Sequence, residues 1–241
     1  MSEFSEKSLH NKVKWNWIII SLLLVIILVL GGMLLYFWHQ KDYNQETVGD
    51  TASVILINET NFPDPLFRKY VQENFDMDRD GILSQSEADA VTRIEVNKDK
   101  DTPDSEKISS LKGIEYFSEL KDLDCRWNQL TRLDLSKNAK LRWLDCQDNQ
   151  LTRLDLSKNA KLRYLNCGGN QLTNLDLSEN TELEYLWCYD NQLTTLDVSK
   201  NTELEILWCY DNQLTTLDVS KNTKLDSLVC DDDVAVTGYN N

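Results

Sequence analysis

The chain has 241 residues, enough for one or two modest domains, and its 40 acidic and 25 basic residues give a formal net charge of -15 at pH 7. The charge is uneven, because residues 1–16 carry +1 and residues 17–38 carry none, which leaves -16 on the rest (22 basic and 38 acidic residues). A surface this negative repels nucleic acid and anionic lipid head groups, which excludes both as ligands of the chain after residue 38. The only histidines, His10 and His39, flank the uncharged stretch, so a His-based catalytic site is excluded from the domain C-terminal to it.

The first element in the chain is the uncharged stretch 17–38, WIIISLLLVIILVLGGMLLYFW. At about 1.5 Å per residue, a helix of this length crosses a hydrocarbon core of about 30 Å. A cleaved signal peptide is the alternative, but its apolar region usually has only about 7–15 residues. Three lysines before the stretch outnumber the one that lies closely after it, Lys41. We therefore expect an uncleaved single-pass signal anchor in the cell membrane, with 1–16 cytoplasmic, 39–57 a linker, and the C-terminal bulk outside.

Residues 76–87, DMDRDGILSQSE, match in full the calcium-loop pattern D-x-[DN]-x-[DN]-G-x5-E of an EF-hand. Alternating carboxylates point toward one ion, and the glycine permits the sharp turn. The predicted Ca2+ ligands are Asp76, Asp78, Asp80, the backbone carbonyl of Ile82, Ser84 directly or through water, and Glu87 as a bidentate ligand. Asp64 is expected to cap a helix that begins at Pro65. The alternative interpretation of residues 76–87 is an Asp-rich surface turn. We favour the calcium loop, and we assign 58–107 to an EF-hand domain that also caps the segment C-terminal to it.

The rest of the sequence repeats every 21 residues. One unit, LRWLDCQDNQLTRLDLSKNAK (141–161), shows the pattern L-x-x-L-x-C-x-x-N-x-L-x-x-L-D-L-S-x-N, which occurs five times between 120 and 224. Leu144 and Cys146 alternate with Asp145, as a strand with one buried face requires. One unit cannot bury its leucines alone, but five or six stacked units can. The predicted fold is therefore α+β: a short parallel-sheet solenoid over 108–230, capped by the helical EF-hand and by 231–241, plus the N-terminal transmembrane helix.

This pattern resembles bacterial leucine-rich repeats of the internalin-like, cell-surface kind, and the segment ISSLKGIEYFSELKDLDC (108–125) looks like their entry into the first full repeat. A single EF-hand before the repeats is similar to exported bacterial proteins that pair these modules. The resemblance covers roughly 58–241. It implies a binding protein at the cell surface rather than an enzyme, and it is poorly specific for the ligand.

Six cysteines mark the repeat: Cys125, Cys146, Cys167, Cys188, Cys209 and Cys230. Each takes the place of a buried leucine, so we expect free thiols packed in the core. Neighbouring strands lie about 4.8 Å apart, which does not exclude a disulfide by distance, but identical inward positions give poor geometry for one. Metal binding would require closely spaced pairs such as CxxC, which do not occur.

Large aromatic residues occupy the outward strand positions, which are expected to form the concave face. The predicted partner-binding residues are Trp143, Tyr164, Tyr185, Trp187, Tyr189, Trp208 and Tyr210. Two interpretations stay open: the rings stiffen the sheet by cross-strand stacking, or they bind a partner. We favour binding, with a protein or peptide as the first candidate partner and a glycan as the alternative. A cell-wall glycan hydrolase is a third candidate, disfavoured because no pocket-forming insertion or Gly-rich phosphate loop occurs.

Overall fold

The computed structural model describes residues 54–239. The predicted cytoplasmic tail (1–16), the predicted anchor (17–38) and most of the predicted linker (39–57) lie outside the described residues. Within 54–239, no helix combines the length and the apolar character needed to cross a membrane. The membrane anchor therefore stays a prediction.

A helix–loop–helix unit opens the described part of the chain. Helix α1 (Pro65–Asn74) begins where the sequence predicts, because the side chain of Asp64 accepts hydrogen bonds from the first free N–H groups of the helix. Helix α2 (Gln85–Ala90) begins with a capping box formed by Ser84 and Glu87. Both helices bury residues in the same core as the repeats.

The loop between these helices pairs with an upstream strand. Strand β1 (Ile55–Leu56) runs antiparallel to β2 (Ile82–Leu83). The prediction that an unstructured linker extends to residue 57 is wrong at its end, because Ile55 is buried and the backbone of 55–56 completes a two-stranded sheet. The loop thus has a strand partner within the chain, without a second helix–loop–helix unit.

The repeats form a seven-stranded parallel sheet in the order β10-β8-β7-β6-β5-β4-β3. Its strands are β3 (Arg93–Glu95), β4 (Asp122–Asp124), β5 (Trp143–Asp145), β6 (Tyr164–Asn166), β7 (Tyr185–Trp187), β8 (Ile206–Trp208) and β10 (Ser227–Val229). The central leucine of each repeat strand pairs with its equivalent in the next repeat, as Leu144 does with Leu165. These leucines are fully buried from β4 to β8, so the predicted period and register are confirmed. Two 3-10 helices, Asp104–Glu106 and Ile114–Tyr116, lead into β4.

Buried asparagines close the turns of the repeats, as the sequence predicts. Asn149 donates through Nδ2 to the carbonyl oxygens of Cys125 and Cys146 at 3.0 and 3.1 Å, and its Oδ1 accepts from the backbone N–H of Leu130 at 2.9 Å. The second ladder serves the opposite bend, where Asn159 donates to the carbonyl oxygens of two residues in the preceding coil. The side chain of Asn149 therefore bonds its own turn and neighbouring coils, and that of Asn159 bonds the preceding coil.

The back end of the solenoid has a cap on its return wall. Strand β11 (Ala235–Thr237) runs parallel to β9 (Thr216–Asp218), so the segment predicted as the C-terminal cap (231–241) contains a strand that pairs with the return wall and not with the seven-stranded sheet. Gly238 comes next, at a positive φ of 86°. A Cβ atom at this position would lie 2.3 Å from the Cα of Ser220, so only glycine allows this approach.

A single carboxylate closes the last turn on the sheet side. In the preceding coils the backbone N–H of a turn asparagine donates to the next coil, as Asn191 does to the carbonyl of Asp211 at 3.1 Å. The corresponding N–H groups of Asp211 and Asn212 donate instead to the side chain of Asp231, at 2.9 and 3.4 Å. The side chain of Asp231 thus replaces the carbonyl groups of a further coil.

Candidate functional site

Seven large aromatic side chains occupy outward positions of the parallel sheet, and all are partly exposed. Strand pairing places Trp143, Tyr164 and Tyr185 in one row across β5, β6 and β7. In the next row, Asn166 on β6 pairs with Trp187 on β7, and Trp187 pairs with Trp208 on β8. This register matches the columns that the repeat period predicts.

The rings of five of these residues contact one another in a continuous series, which we call the aromatic cluster: Trp143, Tyr164, Tyr185, Trp187 and Trp208. Trp143 stacks on Tyr164 with ring centroids 4.8 Å apart. Tyr164 lies 4.7 Å from Trp187, which meets Trp208 edge-on at 5.9 Å. The cluster spans four strands, from β5 to β8. Ring stacking across the strands is therefore present, and it fixes the rings in position before any partner binds.

A separate tyrosine pair lies in the third row. Tyr189 and Tyr210 are parallel within 3° at a centroid distance of 5.0 Å. The space for Tyr189 comes from Gly168, because a Cβ atom there would lie 2.6 Å from the Cζ of Tyr189. Burial, together with repulsion from Asp148, raises the pKa of Tyr189 to about 12. Gly168 was not predicted as a functional residue, although a glycine among the third-row positions was a signal in the sequence.

The sheet on the β3 side of the cluster carries charge instead of rings. The guanidinium of Arg126 lies 3.4 Å from the carboxylate of Asp124 and 3.5 Å from that of Asp145. Asp145 is 1% exposed, and desolvation raises its pKa to about 6, although hydrogen bonds and Arg126 oppose the rise. The sequence did not predict that one arginine lies beside both aspartates.

The predicted calcium loop brings three carboxylates together. The side-chain oxygens of Asp76, Asp78 and Asp80 lie within 4.8 Å of one another. The backbone curls around them, since Gly81 has a φ of 79° and its N–H donates to the carboxylate of Asp76 at 3.1 Å. Desolvation, together with repulsion from the neighbouring carboxylates, raises the pKa of Asp78. Like-charged groups held this closely favour a bound cation.

The remaining predicted ligands lie at the end of the loop. Glu87 accepts hydrogen bonds from the backbone N–H of Met77 at 2.7 Å and from the Ser84 hydroxyl at 2.7 Å. Its carboxylate thus reaches back across the loop to the second position. Desolvation acts to raise the pKa of Glu87, but these hydrogen bonds outweigh it and the pKa is lowered. Ile82, whose carbonyl is a predicted ligand, lies in β2.

The ladder cysteines are free thiols, as expected. The first five are buried, and the sixth, Cys230, is partly buried at the end of the sheet. Burial raises the pKa of Cys167 to about 12, so the reactive thiolate is suppressed at neutral pH. Packing is therefore their role in this structure.

Four clefts in the described part of the chain lie away from the aromatic face. One of about 630 Å³ is on the return wall, beside Arg132 and Arg153. Another, of about 510 Å³, lies next to the calcium loop, beside Phe75 and Met77. The aromatic cluster lies in neither, and an open ring-covered sheet suits a macromolecular surface better than a small molecule.

Comparison with known proteins agrees with this architecture. The family model described as leucine-rich repeats (2 copies) matches residues 139–180 and 181–234. The functional domain of InlJ from Listeria monocytogenes, which includes a cysteine ladder, is 31% identical over 79% of this chain and 45% of that chain, with a TM-score of 0.59. An internalin (inlF) from the same species is 20% identical over 79% of this chain and 62% of that chain, with a TM-score of 0.62. Curated proteins give no match.

The chain spans less than two thirds of the length of either of these structures. It contains leucine-rich repeats, and its fold is internalin-like. At 20% identity, the second likeness concerns the fold alone. The cysteine ladder named for the first structure corresponds to a feature that this chain also shows.

Proposed function

We propose that this protein is a non-enzymatic, membrane-anchored, calcium-binding leucine-rich-repeat protein whose aromatic face binds a protein partner outside the cytoplasm. Its repeats and internalin-like fold support a protein-binding role. One observation carries the choice of surface. The aromatic cluster is continuous over four strands and partly exposed, although the outward side of a parallel repeat sheet needs no large rings for stability.

Preorganised rings make this surface suitable for a partner. The rings have few rotatable bonds and already stack on one another, so binding immobilises little further side-chain freedom. A glycan is the alternative ligand, because sugars also stack on rings. The test must therefore identify the chemical class of the partner as well as the surface.

Site-specific photo-crosslinking in intact cells meets that need. A benzoylphenylalanine in place of Tyr185 is expected to form adducts, whereas the same group in place of Thr195, exposed on the return wall, is the matched control. The group that remains attached to the crosslinked peptide after protease digestion identifies the partner: foreign peptide sequence identifies a polypeptide, and sugar residues identify a glycan. The Trp187→Ala, Trp208→Ala double variant should abolish the adducts at temperatures well below its melting temperature, which the loss of ring stacking lowers. Equal adducts from both positions, or adducts that persist in the double variant, contradict the proposal.

We propose that the loop 76–87 binds one Ca2+ through Asp76, Asp78 and Asp80, the carbonyl of Ile82, Ser84 and Glu87. The convergence of the three aspartates supports this assignment. Extracellular calcium modules bind with dissociation constants on the order of 10⁻⁴ to 10⁻³ M, and we expect this range here. A bound ion would hold the start of α2, and α2 leads directly into β3, so its role is structural.

Calcium binding can be tested by thermal unfolding of the full chain with and without the ion. Wild type should melt at a higher temperature with millimolar calcium, because the ion binds only the folded state. Glu87→Gln and Asp76→Ala should lose this response, and Asp101→Asn, an exposed acid outside the loop, should keep it. An equal response in wild type and both loop variants refutes the site.

The membrane anchor has its own test. If 17–38 span the membrane with the C-terminal domain outside, protease added to intact cells should remove 58–241 and spare an epitope tag placed before residue 17. A mature secreted protein that begins near residue 40 would refute the anchor without affecting the other proposals.

The alternative function, a glycan hydrolase, would show cell-wall degradation that a single carboxylate substitution abolishes.

A further inference from the structure

The residues that immediately precede strands β4 to β8 and β10 stack in a row along one side of the solenoid. Arg163 donates its backbone N–H to the carbonyl of Arg142 at 2.9 Å, and Glu184 donates to the carbonyl of Arg163 at 2.9 Å. The same hydrogen bond links all members of the row, which are Lys121, Arg142, Arg163, Glu184, Glu205 and Asp226. Their side chains are exposed or partly exposed.

A second row of charged residues lies two positions earlier in each coil, and we call the two rows together the charged edge. The members of the second row are Glu119, Lys140, Lys161, Glu182, Glu203 and Lys224. The two rows are adjacent, since Arg163 of the first lies 3.4 Å from Glu182 of the second. The next charged row, which borders the clefts of the return wall and not this edge, consists of Lys137, Lys158, Glu179, Lys200 and Lys221.

The signs of the charges reverse about the middle of the charged edge. In the first row, three cations on successive coils precede three carboxylates. In the second row, the signs run negative, positive, positive, negative, negative, positive. If either row is read from its other end, every cation is therefore replaced by a carboxylate and every carboxylate by a cation. The midpoint of both rows lies between the coil of Arg163 and the coil of Glu184.

A pattern that is complementary to its own reversal fits a second copy of the same chain. A two-fold contact brings the same patch of two copies together in opposite directions. Within one copy, by contrast, the first row places like charges about 4.8 Å apart on neighbouring strands, which is unfavourable. Among residues 54–239, five members of the charged edge form no salt bridge: Lys121, Arg142, Lys161, Glu205 and Asp226. Solvation explains why such side chains are exposed, but it does not explain the order of their charges.

We propose that two copies of this protein pair antiparallel through the charged edge, about a two-fold axis that is perpendicular to the sheet and passes between the coils of Arg163 and Glu184. All six kinds of facing pair then join opposite charges: Lys121 with Asp226, Arg142 with Glu205, Arg163 with Glu184, Glu119 with Lys224, Lys140 with Glu203, and Lys161 with Glu182. The contact leaves both aromatic faces uncovered and on the same side of the pair.

Size and net charge make this a weak, salt-dependent contact. Five spacings of about 4.8 Å give the charged edge a length of about 24 Å, which is small for a stable interface. Each copy carries a net charge of -15, so two copies repel each other at long range. At physiological salt this repulsion is screened beyond about 8 Å, whereas charges that face each other across the contact lie within that distance.

An exchange of charge between two positions tests the contact and its direction. Arg142→Glu alone, or Glu205→Arg alone, places like charges opposite each other twice in a pair of identical copies. A mixture of the two variants forms pairs in which both of these contacts again join opposite charges. Within each copy the new charge is flanked by opposite charges of its own row, so each variant should remain folded.

Energy transfer between donor- and acceptor-labelled full-length copies measures the pairing, with the dyes on a tag after residue 241 and non-ionic detergent in excess. At about 0.15 M NaCl, we expect transfer to rise with the concentration of wild type, and at about 1 M NaCl we expect it to fall. Each single variant should weaken the pairing by about 4- to 30-fold, since two exposed ion pairs become two like-charge contacts. The mixture, with the donor on one variant and the acceptor on the other, should restore wild-type transfer. Arg153→Glu makes the same change of charge on the return wall and should pair as wild type does.

Three outcomes would overturn the inference. If the mixture transfers as little energy as the single variants, the copies do not meet in this register. If wild type transfers no more at low salt than at high salt, the charged edge does not hold two copies together. If Arg153→Glu weakens the pairing as much as Arg142→Glu does, net charge governs the association and the edge does not. None of these results bears on crosslinking at Tyr185, so the proposed function is tested separately.

Discussion

Asp64 joins the helix–loop–helix unit to the first repeat, and its replacement tests whether the two form one folding unit. It is 5% exposed. Its Oδ1 accepts from the N–H groups of Leu66 and Phe67 at 2.9 and 3.1 Å, which caps α1. Its Oδ2 accepts from the N–H and the hydroxyl of Ser109 at 2.8 and 2.9 Å, and from the N–H of Ser110 at 3.3 Å. One carboxylate therefore satisfies donors at the start of α1 and donors at Ser109, 45 residues after Asp64.

The structure sets the size of the effect. Loss of an N-cap costs about 1 kcal/mol, and loss of hydrogen bonds to a charged group costs about 1.5–3 kcal/mol. We therefore expect Asp64→Ala to lower the free energy of unfolding by about 3–4 kcal/mol, which is a large part of a typical total of about 5–15 kcal/mol. Asp64→Ser retains a cap and loses only the bridge to Ser109, so about 2 kcal/mol should be lost.

Urea unfolding of the full chain, monitored by circular dichroism and by tryptophan fluorescence, measures these differences. Ser109→Ala is the control, because it removes only one of the five hydrogen bonds and should cost about 1 kcal/mol. A loss below about 1 kcal/mol for Asp64→Ala, or equal losses for the alanine and serine variants, would show that Asp64 does not join α1 to the first repeat.

Three further predictions concern the repeats. Desolvation raises the pKa of Asp145 to about 6, above about 3.9 in an unfolded chain, so this group lowers the free energy of unfolding as pH rises from about 4 to about 6. Asp145→Asn should remove this fall, which amounts to up to about 3 kcal/mol between pH 4 and pH 7 in urea unfolding. A pH dependence that is the same in the variant contradicts the buried charge. Gly168→Ala should cost about 1–2 kcal/mol through overpacking against Tyr189, and adding Tyr189→Ala should relieve that cost; additive losses in the double-mutant cycle count against the contact. Cys167→Ala should cost about 1–2 kcal/mol. Thiol reagents should label the five buried cysteines only after denaturation, whereas the partly exposed Cys230 can react in the native protein; fast native labelling of any of the other five would contradict their burial.

The repeat period made most of the solenoid predictable from sequence. Alternation of Leu144 and Cys146 with Asp145 gives the buried face, and a constant 21-residue spacing then gives the register of every strand from β4 to β8. The start of α1 was equally readable, because an aspartate before a proline is a local signal. Periodic and local signals of this kind need no knowledge of the rest of the fold.

Contacts between distant segments were not predictable. Strand β1 has two residues, too few for a pattern, and its pairing with β2 depends on tertiary packing. Asp231 appeared as one acid in a run of three, and only the geometry of the last turn assigns it the role of a cap. For the rings, the sequence left stacking and partner binding as alternatives. The structure shows the stacking, and binding is a separate question that the crosslinking experiment addresses.

The Asp231 cap has a consequence for how such a protein can change over generations. The internal coils receive equivalent hydrogen bonds from the ladder asparagines of their neighbours, while separate contacts close the two ends, made by Asp64 at the front and by Asp231 and β11 at the back. A duplication or deletion of one 21-residue unit in the interior would therefore leave both ends intact, and it would widen or narrow the ring-bearing surface by one strand spacing of about 4.8 Å. The footprint presented to a partner can thus vary in fixed increments by recombination, independently of the residues that terminate the fold.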